Sequence, residues 1–191
     1  MMRRFTSGQR GRPGLFITHG RTPREGGNAM PRVYLDRING SPLFSIEKVV
    51  GKAMTNDRLD VMLVQYFLKV ILHSNKIFLA GNTRFTPPPG SELQITGIWD
   101  EASARYLTRW EELRYEARAY WGHGAAPATQ YPGTVVPYIQ GGTKLIAMQE
   151  MCRIFYGDEA YNKLQMPNAE LPVQVWRELF WDPIYGPHRT E

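Results

Sequence analysis

Thr96-Gly97-Ile98-Trp99-Asp100-Glu101-Ala102-Ser103 reads as the entry to a helix. Gly97 lets the backbone turn without a Cβ clash, Trp99 drops a large ring between helices, and Asp100 caps the first unpaired amides. Ser103, three residues after that cap, is in reach of the same turn. Beyond it Tyr106, Trp110, Leu113, Ala117 and Tyr120 recur at intervals of four and three, so they share one face of a helix over 100–121. Glu101 and Arg105 are expected to pair across its surface, and Gly122 and Gly124 to stop it.

Upstream, a helix over 57–72 is expected after Asn56, read as its N-cap, with Asp57 and Asp60 placed for the positive end of its dipole. Leu59, Met62, Leu63, Tyr66, Phe67, Val70 and Ile71 make one broad apolar stripe, and Val61, Val64 and Leu68 cover much of the rest. A helix of that kind is surrounded by protein. Before it, 33–38 and 43–46 flank Asn39-Gly40, a pair suited to a tight type I′ turn, so a β-hairpin is expected over 33–46, weakened by Pro42.

Between the two helices, 75–93 reads as a loop ending in Pro87-Pro88-Pro89-Gly90, where fixed φ angles and missing amides forbid a helix. Residues 122–142 read as a Gly/Pro/Thr-rich linker to a third helix over 143–156, capped by Thr143, with Leu145, Met148, Cys152 and Phe155 on its core face and Gly157 at its end. Short helices are expected in the tail, at 158–164 and at 172–180, where Pro172 sits at a first helical position. The fold class is therefore mainly α: a compact helical body over 33–157 with a small β-hairpin, an extended N-terminal arm over 1–32, and a C-terminal helical tail over 158–191.

The formal charge of +5 belongs to the arm. Arg3, Arg4, Arg10, Arg12, Arg21, Arg24 and Arg32 stand there against Glu25, which leaves 16 basic and 17 acidic residues in the remainder. Its glycines and prolines cannot bury enough surface to order the segment alone. Such an arm suits a neighbouring protein subunit or, through its phosphates, a nucleic acid. With no lysine and no aromatics besides Phe5 and Phe16, it offers little base stacking, which favours the subunit.

No apolar run near the N-terminus has the pattern of a signal peptide, and Asp60, Gln65 and Lys69 interrupt the most apolar helix, so no membrane span is expected. The expectation is a protein made in the cytoplasm. Cys152 has no cysteine to pair with, and His19, His73, His123 and His188 lack ligand spacing, so neither a metal site nor a cofactor is expected. Adjacent acids such as Glu111-Glu112 point in different directions from a helix and form no acid/base pair by themselves.

Asp60-Val61-Met62-Leu63-Val64-Gln65-Tyr66-Phe67-Leu68 fits the pattern Asp-Val-x-x-(Leu/Val)-Gln-x-x-Leu, and Ile46, Val50-Gly51 and Asn56 fit the lead-in Ile-x-x-x-Val-Gly-x-x-x-x-Asn. Together with the helix entry, these resemble the three-helix peptidoglycan-binding domains, including versions attached to secretion and phage-related proteins. Against that family's Asp-Gly-x-Phe-Gly-x-x-Thr, Gly97 keeps the turn glycine, Trp99 takes the aromatic and Ser103 the threonine, with Leu107 and Trp110 following as aliphatic and aromatic. Thr96, Asp100, Tyr106 and Glu111 depart from it. Gly133-Thr134-Val135-Val136-Pro137, with Thr143 and Leu145, is similar to a tail found after some relatives. The resemblance covers 46–112 and, more weakly, 131–147.

The resemblance implies a shallow groove for wall peptide or glycan between the helices and the loop before the turn, a loop that 75–93 lengthens here. It implies no catalysis. Trp99, Asp100, Tyr120, Trp121 and Tyr131 are the candidate ligand contacts, with Tyr138 a further aromatic, whereas Tyr106 and Trp110 read as core. The function expected is a non-catalytic attachment or structural part of a phage tail, baseplate or contractile injection particle, resident in that particle. The alternatives are an assembly protein whose arm binds nucleic acid or a neighbouring subunit, and a wall hydrolase accessory or unrecognised wall-cleaving enzyme.

Overall fold

A computed structural model describes residues 32–35, 42–75, 84–90, 92–116, 131–162, 173, 181–182 and 186–187. Among them the protein is mainly α, built on helices α1 (Arg58–His73), α2 (Glu101–Glu116) and α3 (Lys144–Asn162). Strands β1 (Arg32–Leu35) and β2 (Pro42–Ser45) form an antiparallel hairpin. Two-residue pairings join β3 (Val50–Gly51) to β4 (Thr134–Val135) and β5 (Trp181–Asp182) to β6 (Gly186–Pro187).

Helix α1 is central, packing against both α2 and α3. Val61, Leu63, Val64, Leu68 and Ile71 lie on different sides of it and are all buried, each worth roughly 2 kcal/mol in apolar area removed from water. Its cap is Asp57, not Asn56: the Asp57 carboxylate accepts the Leu59 amide at 3.1 Å. Asn56 instead adopts a φ of 51°, which its short polar side chain tolerates, and clasps Gly51 through both the backbone N–H and C=O. A side chain on Gly51 would collide with Thr134 and the Gly133 carbonyl, so the close pairing of β3 with β4 requires glycine.

Helix α2 buries Tyr106, Trp110 and Leu113, as the four-three spacing predicts, and Leu107 beside them. The Trp110 indole donates to the Met151 sulfur on α3 at 3.3 Å. Arg105 lies against Gly90, and among the described residues it forms no ion pair with Glu101. The loop before α2 is non-helical across its prolines, yet it sends Phe85 and Leu93 fully into the core.

The hairpin forms in a different register from a turn on Asn39-Gly40. Such a turn sets Leu35 opposite Phe44, whereas Leu35 pairs with Pro42 and Val33 with Phe44. Pro42 thus opens β2, where a missing amide is tolerated. The Phe44 N–H donates to Gln149 Oε1 on α3 (2.6 Å) and the Phe44 carbonyl accepts from Gln149 Nε2 (2.7 Å), so one glutamine covers the outer edge of β2 as a third strand would.

Helix α3 continues through Gly157 to Asn162 and merges with the short helix expected at 158. Glycine lowers helix propensity by only about 1 kcal/mol, which a helix anchored by buried Leu145, Met148, Met151 and Cys152 absorbs. The described part of the expected linker is folded into the body as β4 and a 3-10 turn, Tyr138–Gln140. Of the tail helix at 172–180 only Val173 is described, and it is helical.

Candidate functional site

The 96–103 turn is built by one side chain of α1. Gln65, fully buried, accepts the Thr96 and Gly97 amides on Oε1, each at 3.0 Å, and its Nε2 donates to the Ile98 carbonyl and to Ser103 Oγ, each at 2.9 Å. Its amide is thereby saturated. Asp100 accepts the Ser103 N–H at 2.8 Å and its hydroxyl at 2.7 Å, capping α2. Gly97 adopts a φ of 78° against the first turn of α1, and an added Cβ would stand 2.8 Å from the Arg58 carbonyl. Polar saturation and positive φ together fix the turn.

Asp60 performs a similar task one turn earlier in α1. Its fully buried carboxyl accepts the Lys48 amide at 2.7 Å and the Glu47 amide at 3.1 and 3.2 Å, fastening the β2–β3 connection to α1. Burial pushes its pKa up to about 7, against the pull of those two amides, and the nearby Asp57 and Glu47 carboxylates add to the rise. Asp60 does lie in the first turn of α1, at the positive end of its dipole, but it faces inward.

A third polar centre secures the 131–134 turn. Lys144, 7 % exposed, donates to Glu111, to the Tyr131 carbonyl, and to the Thr134 carbonyl at 2.7 Å. Glu111 also accepts the Gly133 amide at 3.2 and 3.3 Å. Burial lowers the Lys144 pKa, and Glu111 opposes that shift. Glu112, next in sequence, faces solvent with Arg109, so the adjacent acids do diverge.

Of the candidate contacts, Trp99 is partly buried against the core and its indole N–H is enclosed with no hydrogen-bond partner among the described residues. Asp100 is exposed but engaged as the cap. Tyr131 is 49 % exposed on the second turn. No ring contact joins it to Trp99 among the described residues. Tyr138 is half-buried, its amide donating to Ser45 Oγ at 3.2 Å. Tyr120, Trp121 and the arm arginines Arg3, Arg4, Arg10, Arg12, Arg21 and Arg24 lie outside the described residues.

Sequence reasoning missed Ile98, which is 68 % exposed at the tip of the clamped turn, and the roles of Lys144, Glu111 and Gln149. Gln149 carried a usable signal, a polar residue four after Leu145 on the apolar face of α3. Lys144 carried none. Among the described residues no group of His, Cys, Asp and Glu could hold a metal, and no helix is long and apolar enough to cross a membrane. No family model, curated protein or solved structure matches the chain.

Proposed function

We propose that the chain is a non-catalytic, peptidoglycan-binding-like module serving as a structural or attachment part of a phage tail, baseplate or contractile injection particle, where it resides. The observation that supports this reading most is the Gln65 clamp: the residues that carry the resemblance hold α1, α2 and the 96–103 turn as one rigid unit. A rigid unit presenting exposed side chains on fixed turns suits attachment, since little ordering entropy is lost on contact. The composition of the arm fits a grip on neighbouring subunits.

The test is sedimentation of the purified full chain with isolated sacculi, with soluble wall fragments measured in the same tubes. Attachment without release of fragments is expected. Protein left in the supernatant removes the wall-binding reading, and release of fragments removes the non-catalytic one.

A second reading, nucleic-acid binding through the arm, is favoured by the concentration of excess positive charge in residues 1–32. It predicts binding that weakens steeply with salt and disappears when those residues are deleted. Binding that survives the deletion excludes the arm as its cause.

A further inference from the structure

Phe44 fixes which way the backbone of the hairpin points. Its N–H and C=O both go to Gln149 on α3, at 2.6 and 2.7 Å, so they point away from β1, and Phe44 exchanges no ladder bonds with Val33 opposite it. In an antiparallel ladder such pairs alternate with bonded ones. The pairs Arg32–Ser45 and Tyr34–Leu43 therefore carry the hairpin, whereas Val33 and Leu35 turn their N–H and C=O groups to the outer edge of β1.

The two edges of the hairpin are unlike. On β2, Pro42 has no amide to offer and Gln149 occupies Phe44, so a further strand is kept from adding there. On β1, the outward groups of Val33 and Leu35 stand two residues apart, and among the described residues no backbone group bonds to them. A row of that kind is a template for an added strand.

We infer that the outer edge of β1 is the contact for a second copy of this chain, the two β1 strands pairing antiparallel about a two-fold axis. Register selects that occupant, because outward-facing residues must stand opposite outward-facing residues. Centring the pair on Tyr34 sets Val33 opposite Leu35 in both directions, so each exchanges both its bonds, and sets Arg32 opposite Asp36 of the second copy, twice by symmetry. Centring it on Val33 sets Leu35 opposite Pro31, which has no amide, and Arg32 opposite Tyr34. Centring it on Leu35 sets Val33 opposite Arg37 and Tyr34 opposite Asp36. Neither joins opposite charges. Backbone bonding and charge thus agree on the Tyr34-centred register.

The product is one antiparallel sheet in the order β2, β1, β1, β2. Gln149 and Pro42 seal both of its outer edges, so the pairing stops at two copies and does not run on into a fibre. So short a strand pair covers less than the roughly 1,000 Å² of a stable interface, and the association is weak and depends on concentration. It stands independently of what the module attaches to.

Sedimentation equilibrium of the full chain and its variants tests the pairing. Asp36→Arg alone and Arg32→Asp alone each set like charges opposite one another and are expected to weaken self-association about tenfold. Mixed in equal amounts, the two variants restore opposite charges at both positions, and association between them at the wild-type level is expected. That rescue requires the Tyr34-centred register. Val33→Pro removes an outward amide that the hairpin does not use and is expected to weaken association by a similar factor. A wild type that stays monomeric to about 1 mM, single variants that associate as the wild type does, or a mixture no better than its components overturns the inference.

Hydrogen exchange at the wild-type Val33 amide separates the other occupants without any substitution. Protection that rises with protein concentration is expected. Protection unchanged by dilution would show that another segment of the same chain covers the edge, and rapid exchange at every concentration would show that nothing does. Either result overturns the inference.

Discussion

Gln65 Oε1 accepts the Gly97 amide at 3.0 Å across 32 residues of sequence, so the midpoint of one helix and the turn that opens the next are a single hydrogen-bonded unit. The same oxygen takes the Thr96 amide and the same side chain's nitrogen takes Ile98 and Ser103. Packing of α1 on α2 sets the distance between the helices, and this glutamine sets where the turn lies on that distance.

Gln65→Leu keeps the volume and removes both ends of the clamp. It strands the Gly97 amide in a buried position and frees three further groups, for which a loss of about 3 kcal/mol is expected. Urea unfolding monitored by tryptophan fluorescence measures it. A loss below about 1 kcal/mol would mean that water or rearranged backbone replaces the clamp at little cost.

Stability is expected to depend on pH through Asp60. The folded state keeps its proton up to about pH 7, whereas an unfolded aspartate releases it near 3.8. The native state therefore binds the extra proton between those values, and stability falls as pH rises across that window. The contribution is full below the lower value, amounts to about 4 kcal/mol, and is gone above the upper one. Denaturant unfolding at intervals from pH 4 to 8 should show a flatter profile for Asp60→Asn than for the wild type. Parallel profiles would place the proton elsewhere.

Trp99→Phe should be close to neutral. The indole N–H is enclosed without a partner among the described residues, a cost on the order of 1–3 kcal/mol that phenylalanine does not carry, and the ring's loss of area offsets part of the gain. Trp99→Ala, which empties the space, should cost about 2 kcal/mol or more. Thermal unfolding of the two variants separates them, and equal losses would show that the indole nitrogen is satisfied in solution.

Local rules made the helices legible. The broad apolar surface of 59–71 and the four-three spacing from Tyr106 to Leu113 each match a buried helix, because apolar periodicity is written in neighbouring residues. Asp100 and Ser103 were legible as a cap for the same reason. Three features depended instead on partners far along the chain. Asp60 looks like a dipole-facing acid until Glu47 and Lys48 come to lie against it. Lys144 looks like a solvated lysine until Glu111, 33 residues before it, closes over it. The edge of the hairpin is held by α3, through Gln149 on Phe44, 105 residues away.

The candidate contacts divide along the same line. Trp99 and Asp100 were singled out from the turn, and the turn uses both to build itself. Tyr131 was singled out only as an aromatic in a loop, and its fixed backbone depends on a lysine and a glutamate in two other elements. A motif therefore points to residues that make the fold, and the outward residues gain their meaning from what holds them.

Whether the 96–103 turn is a clamped part of the scaffold is read from native-state hydrogen exchange at the Gly97 amide. Clamped by Gln65, that amide is expected to exchange only through global unfolding, with the same opening free energy as the amide of Leu68 in the middle of α1. Exchange through a local opening, at a free energy near that of a surface loop, would show that Gln65 does not clamp the turn and would detach it from the scaffold on which the proposed function depends.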